Sequence, residues 1–206
     1  SSKPGETSLI ISLFVIFAFI DYYSKTSDHK ILQYILEFEN IIANKWPKFE
    51  TDDSLWYSYL SSKELEVYNA TAKIGKFYAK LYKISPNSRY LVNINKILNY
   101  LFINQNNDYS WPYSKVNRYI DHYHTVFILD AINEMLEIQS NPSYQEKMYA
   151  GYNYYKTYLF ENQKPIHFSR IDLSKNFRKQ FIQVEIRDCA NAIMLLSKFN
   201  DYVLAD

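Results

Sequence analysis

The chain is 206 residues long, and 23 Lys+Arg against 22 Asp+Glu leave a net charge of +1 with no basic block, which excludes the electrostatic footprint of a nucleic-acid partner. Its one cysteine, Cys189, excludes an internal disulfide and any paired-cysteine metal site. Three glycines and six prolines are too few for the turns of an all-β fold, so the composition predicts an all-α protein.

The first predicted helix is Thr7–Ser24. Its apolar run, Leu9–Ile20, is shorter than the roughly 20 residues a membrane span requires, and it ends abruptly at Asp21-Tyr22-Tyr23. Lys3 precedes it as in a secretory signal, but no small-x-small cleavage site follows. It is read as a buried first helix and not a membrane span; the compartment stays open, with the cytoplasm favoured. A second helix, Asp28–Asn44, carries Ile31, Ile35, Phe38 and Ile42 on one face, with Asp28 as its cap.

The pattern then recurs. Lys63–Tyr82 is apolar on most faces and is followed by the one-sided Asn87–Asn104; Tyr119–Ile138 is followed by Pro142–Glu161; Gln183–Phe199 opens a fourth pair. The breaks repeat as well, with Ser27, Ser85 and Ser140 spaced by 58 and 55 residues. The ends of the second helices repeat too, at Asn44, Asn104 and Asn162, 60 and 58 residues apart, and two landmarks with one period indicate repeated helical hairpins. Helices apolar nearly all round are buried on both sides, and one-sided helices cover them. That describes two concentric layers, an α/α toroid over residues 1–206 as a single domain, with an open α-solenoid as the alternative. The connections 45–62, 105–118 and 162–182 decide for the toroid: they are long, rich in aromatic and polar residues, and all emerge where the inner helices begin. Three and a half hairpins make an incomplete ring. Its open edge is expected to be covered by a partner protein, a second copy or the C-terminal tail.

The candidate chemistry gathers at the inner-helix starts: Glu66-Val67-Tyr68-Asn69, Asp121-His122-Tyr123-His124-Thr125 and Glu185-Ile186-Arg187-Asp188. Asp121 and His124 are three apart on one helical face, so the carboxylate can fix the imidazole tautomer for general acid/base work. The plain alternative is that acids favour helix N-termini because of the backbone dipole. Asp108, Ser110, Trp111 and Tyr113 combine a carboxylate, a hydroxyl and flat rings, the mixture that sugar sites use; Trp46 and Trp111 have the alternative of plugging hairpin ends. Likewise the 21 tyrosines either pack between helices or line a sugar groove. Glu50, Asp52 and Asp53 read as solvated loop charge. No zinc helix, phosphate loop or nucleophile elbow is present, and no metal or cofactor is called for.

These residues resemble a family of bacterial α/α-toroid proteins whose members often occur beside polysaccharide-biosynthesis genes. The resemblance rests on Gln105-Asn106-Asn107-Asp108-Tyr109-Ser110-Trp111-Pro112-Tyr113, Ile120-Asp121-His122-Tyr123-His124-Thr125, Glu66-Val67-Tyr68-Asn69 and Val184-Glu185-Ile186-Arg187-Asp188. Tyr68 and Arg187 stand where the family's pattern has histidine, and Tyr109 where it has glycine. What the resemblance implies is a polysaccharide setting, with a glycan as ligand, rather than a mechanism.

The expectation is therefore a carbohydrate-associated toroid, an enzyme of hydrolase, lyase or epimerase type. His124 is its acid/base, Asp121 the orienting partner and Glu185 or Asp188 a second carboxylate. Trp111, Tyr113, Asp108, Tyr68, Asn69, Arg187 and His122 are the ligand-binding candidates. The other readings are a non-catalytic partner protein and, more distantly, an isoprenoid-cyclase-like toroid.

Overall fold

The computed structural model describes residues 7–170 and 185–201. Seven helices lie among them: α1 (Leu9–Thr26), α2 (His29–Asn44), α3 (Tyr68–Ile84), α4 (Ser88–Ile103), α5 (His122–Ile138), α6 (Pro142–Tyr158) and α7 (Ile186–Lys198). Local chemistry fixes their starts. Asp28 accepts a hydrogen bond from Lys30 N at 2.9 Å, Asn87 from Arg89 N at 2.9 Å, and Asn141 from Tyr144 N at 3.2 Å, each satisfying one of the free amides of a helix's first turn. Pro142 sits in the first turn of α6, where its missing N–H costs nothing.

The odd-numbered helices form the inner layer. α3 packs against α1 and α5, and α5 against α3 and α7, while α2, α4 and α6 each lie outside the helix they follow. The chain is an all-α protein of three and a half hairpins forming an incomplete α/α toroid. Burial follows the layers: Tyr68–Gly75 of α3 is buried without a break, whereas α4 buries Tyr90, Ile94, Ile97, Leu98 and Leu101 on one side. Gly75 permits the close approach of α3 and α5, since a Cβ there would stand 2.2 Å from Met135 Sδ. Each fully buried Leu, Ile or Phe contributes roughly 1.5–3 kcal/mol of burial free energy.

Three expectations change. α1 is buried only toward α2 and α3: Leu9, Leu13, Ile16 and Ile20 are packed, but Ile11, Phe14, Val15 and Tyr22 are exposed, because no inner helix lies beyond α1 among the described residues. By length and composition alone α1 could also cross a membrane. The predicted helix starts at Lys63 and Tyr119 move in to Tyr68 and His122 because the preceding residues pair as extended chain, Ser58 with Glu66 and Asp121 with Phe168. Residues 183 and 184 of the fourth inner helix, and 171–182 of the last connection, lie outside the described residues. Finally, the connections hold two short antiparallel hairpins, β1 (Lys48–Glu50) with β2 (Leu55–Tyr57) and β3 (Phe160–Glu161) with β4 (Lys164–Pro165), the latter ending the sixth helix at Tyr158 and not at Glu161.

Several buried tyrosines are packing residues whose hydroxyls find polar partners. Tyr57 and Tyr78 bond each other at 2.9 Å, Tyr100 donates to Glu66 at 2.7 Å, and Tyr154 pairs with Ser169 at 2.8 Å.

Candidate functional site

Asp121 is the N-cap of α5. Its Oδ1 accepts from the backbone N–H of His124 at 2.8 Å, and its two oxygens lie 2.8 and 2.6 Å from His124 Nδ1. The carboxylate is buried and the imidazole is 22% exposed, so a ring clamped from below still reaches the mouth of the inner layer. Tyr113 meets the His124 ring edge-on at 4.5 Å and stacks on Tyr119 at 5.0 Å. Burial pushes the Tyr113 hydroxyl up from its ordinary value, with Tyr59 and Asp121 adding to the shift. On the other side Tyr123 lies 5.3 Å from the His124 ring and carries the Arg187 guanidinium 4.5 Å above its own.

A second pair stands beside the first. The segment after β4 runs back along the start of α5: His122 N donates to His167 O at 2.8 Å, and Asp121 bridges Phe168. This brings His167 Nδ1 to 2.9 Å from Asp188 Oδ2. Asp188 is fully buried in the first turn of α7, and His167 is 20% exposed. The hydrogen bond to Asp188 raises the His167 pKa against the opposing effect of burial. Glu185 completes the rim and holds Arg187 at 2.8 Å. His167, Glu185 and Asp188 present ligating atoms within 4.8 Å of one another, a set able to gather on a divalent cation. In this structure His167 Nδ1 and Asp188 Oδ2 are hydrogen-bonded to each other.

In each pair the carboxylate takes the Nδ1 side of the ring. An imidazole that gives Nδ1–H to a carboxylate keeps the lone pair of Nε2 for a substrate proton. An Nδ1–H given to the carboxylate in each pair is the tautomer that general-base chemistry needs.

The structure thus brings together Asp121, His124, Tyr113, Tyr123, Arg187, Glu185 and Asp188, and adds His167. The other ligand-binding candidates lie apart. His122 is fully buried, with Nε2 2.9 Å from the Tyr155 hydroxyl, and burial pushes its pKa down to about 4; it is a neutral core group and no ligand can touch it. Trp111 is 1% exposed, donates Nε1–H to Leu101 O at 2.9 Å and packs against Phe102. It closes a hairpin end and offers no face to a sugar. Trp46 does the same one hairpin earlier, through Ser58 O at 2.8 Å. Asp108 is exposed and ties its own turn, accepting from Ser110 N and Oγ at 3.1 and 2.6 Å. Tyr68 and Asn69 are buried at the start of α3. Tyr68 reaches the site only through its backbone, donating N–H to Tyr113 O at 3.3 Å, while its hydroxyl donates to Asn104 at 3.2 Å. Burial and the nearby Glu66 push that hydroxyl up to about 12.

His167 is not among the site candidates named from the sequence. It stands in no helix and in no repeated motif; the signal that finds it is the return of the last connection along the start of α5, which only the fold shows.

No protein-family model and no curated protein matches the sequence. Solved structures do match the fold. A cellobiose 2-epimerase from Bacillus thermoamylovorans superposes with a TM-score of 0.68 at 10% identity, over 96% of this chain and 61% of that one. A family 76 glycoside hydrolase α-mannanase of Bacteroides thetaiotaomicron gives a TM-score of 0.74 at 10% identity, over 97% and 58%. A D-mannose isomerase gives 0.63 at 15% identity, over 81% and 47%. The chain spans about three fifths of the first of these and less of the other two. What the three share with this chain is the α/α-toroid fold.

Proposed function

We propose that the chain is the catalytic portion of a sugar isomerase or epimerase, moving a proton at the carbon next to the carbonyl of an open-chain reducing sugar. The observation that carries this reading is the pair of imidazole–carboxylate couples, His124–Asp121 and His167–Asp188, at one end of the inner helices. Glycoside hydrolysis needs two carboxyl groups facing the scissile bond from opposite sides. Asp121 and Asp188 are both buried under histidines and Glu185 is bound to Arg187, so among the described residues the mouth presents bases and not a free acid pair.

In this mechanism His124 Nε2 removes the C2 proton of the sugar, and the C–H electron pair passes into the C1–C2 bond as the carbonyl oxygen gains charge. Arg187, held over Tyr123, is the cation available to that oxygen. Return of a proton to C1, with the O2 proton passing to O1, gives the ketose; delivery of a proton by protonated His167 to the opposite face of C2 gives the epimer. The known substrates of the similar folds, cellobiose and mannose, are the first to try. Incubation with each, followed by chromatography of the sugars, is expected to show interconversion that is lost in H124Q; interconversion at full rate in H124Q would overturn the reading.

A second reading has one observation in its favour. Ile11, Phe14, Val15 and Tyr22 form an exposed apolar stripe on α1, the open edge of the ring. A non-catalytic role, docked to a partner protein or to a second copy through that edge, would use it.

A further inference from the structure

One face of α3 carries Lys73, Lys76, Lys80 and Lys83, at helical spacings of three, four and three. The face turns toward the lumen of the inner layer, where the opposing helices supply carboxylates. Lys76 Nζ lies 2.5 Å from Asp130, Lys80 Nζ 2.9 Å from Asp21, and Lys83 Nζ 3.0 Å from Glu137 and 3.4 Å from Glu134. Lys198 of α7 joins the same ladder through Asp130 at 2.5 Å and Glu134 at 2.9 Å. Every rung from Lys76 downward is a matched ion pair.

The top rung is not. Lys73 is buried at 3% exposure and has no carboxylate partner among the described residues. The α5 residue one turn above Asp130 is Phe127, so the position where the next carboxylate would stand holds a ring. Lys73 Nζ lies 3.4 Å from the centroid of Phe127 and 4.4 Å from that of Phe14. Cation–π contact offsets only part of the cost of desolvating an ammonium. The fold therefore keeps a lysine with no carboxylate in contact at one defined level.

That level is the floor of the proposed site. Phe127 packs edge-on against Tyr123 at 4.5 Å, and Tyr123 touches the His124 ring. Phe14, on the other side of the ammonium, is 46% exposed at the open edge of the lumen, so the cage is thin there.

We propose that Lys73 is the anchor for an anionic group on the sugar, so that the site takes acidic saccharides, with a carboxylate or a phosphate ester completing the lysine ladder from the ligand side. This rests on the reading of the mouth as a sugar site and names its substrate class. Burial, reinforced by Lys76 and opposed by Asp130, holds the Lys73 pKa down to about 7, and an arriving anion would restore its proton.

Isothermal titration of the whole chain with D-glucose, D-glucuronate, D-glucose 6-phosphate and inorganic phosphate tests this. One of the two anionic sugars is expected to bind at least tenfold more tightly than glucose, and which one identifies the anion. In K73M that preference collapses to the affinity for glucose, while the unfolding midpoint rises because a buried charge has been replaced by an isosteric apolar chain. Equal affinity for neutral and anionic sugars, or a preference that survives in K73M, overturns the proposal and leaves the sugar site standing. Inorganic phosphate binding as tightly as the sugar phosphate overturns it in favour of a bare anion site. Failure of every sugar to bind removes the sugar site itself, and this proposal with it.

Discussion

Asp121 holds His124 by two different groups, the backbone N–H at 2.8 Å and the ring Nδ1 at 2.6 Å. One carboxylate thus caps α5 and orients the imidazole, so the geometry of the base is locked to the start of the helix. The two duties separate by mutation. D121N keeps a good capping residue and is expected to leave unfolding within about 0.5 kcal/mol of wild type, while D121A loses the cap and costs about 1 kcal/mol or more. Both lose the anionic partner of His124 and, with it, most of any proton-transfer activity. Urea denaturation of the two variants checks the first point. A D121N as unstable as D121A would show that the charge, and not the cap, supports α5.

The second couple makes a prediction about protonation. The hydrogen bond to Asp188 raises the His167 pKa above its ordinary 6.5. Its charged form is therefore favoured in the folded state, and that contribution to stability is fully present below about pH 6.5 and fades as pH rises through the folded value. Proton–carbon NMR of the imidazoles should find His167 titrating above 6.5 in wild type and shifted downward in D188N. An unmoved His167 titration in D188N would contradict the pairing.

Gly151 offers a test of the plug at Trp111. A Cβ added there would lie 2.5 Å from Trp111 Cζ3 and 3.0 Å from the backbone oxygen of Tyr109. The backbone neighbour cannot yield as a flexible side chain would, so the ring must shift. G151A is expected to lose about 1–3 kcal/mol by overpacking and to change the near-ultraviolet signal of tryptophan. Wild-type stability in G151A would mean that the ring is loosely held and free to serve a ligand.

Much of this architecture was legible in the residues. The hairpin period, the caps at Asp28 and Asn87 and the Asp121–His124 couple follow from local rules that act within a few residues. Boundaries failed where a non-local contact overrode helix propensity, as at 63–67, where Ser58 pairs with Glu66. Trp111 and His122 are buried, and aromatic rings and imidazoles look alike in sequence whether they face a cavity or a core. His167 pairs with Asp188, 21 positions away, a contact reached only through the fold. That Lys73, alone of the α3 lysines, lacks a contacting carboxylate shows only against the opposing helices.

The central claim is that His124 and Asp121 abstract a proton from a sugar carbon. Proton NMR of mannose and cellobiose incubated with the protein in deuterated water measures this directly, because a proton taken up by an imidazole is replaced by deuterium from solvent. The account predicts loss of the C2 proton signal in at least one of these sugars with wild type, and its retention with H124Q. Retention of the C2 proton with wild type while the sugar is nevertheless converted, or washout that persists in H124Q, would contradict it.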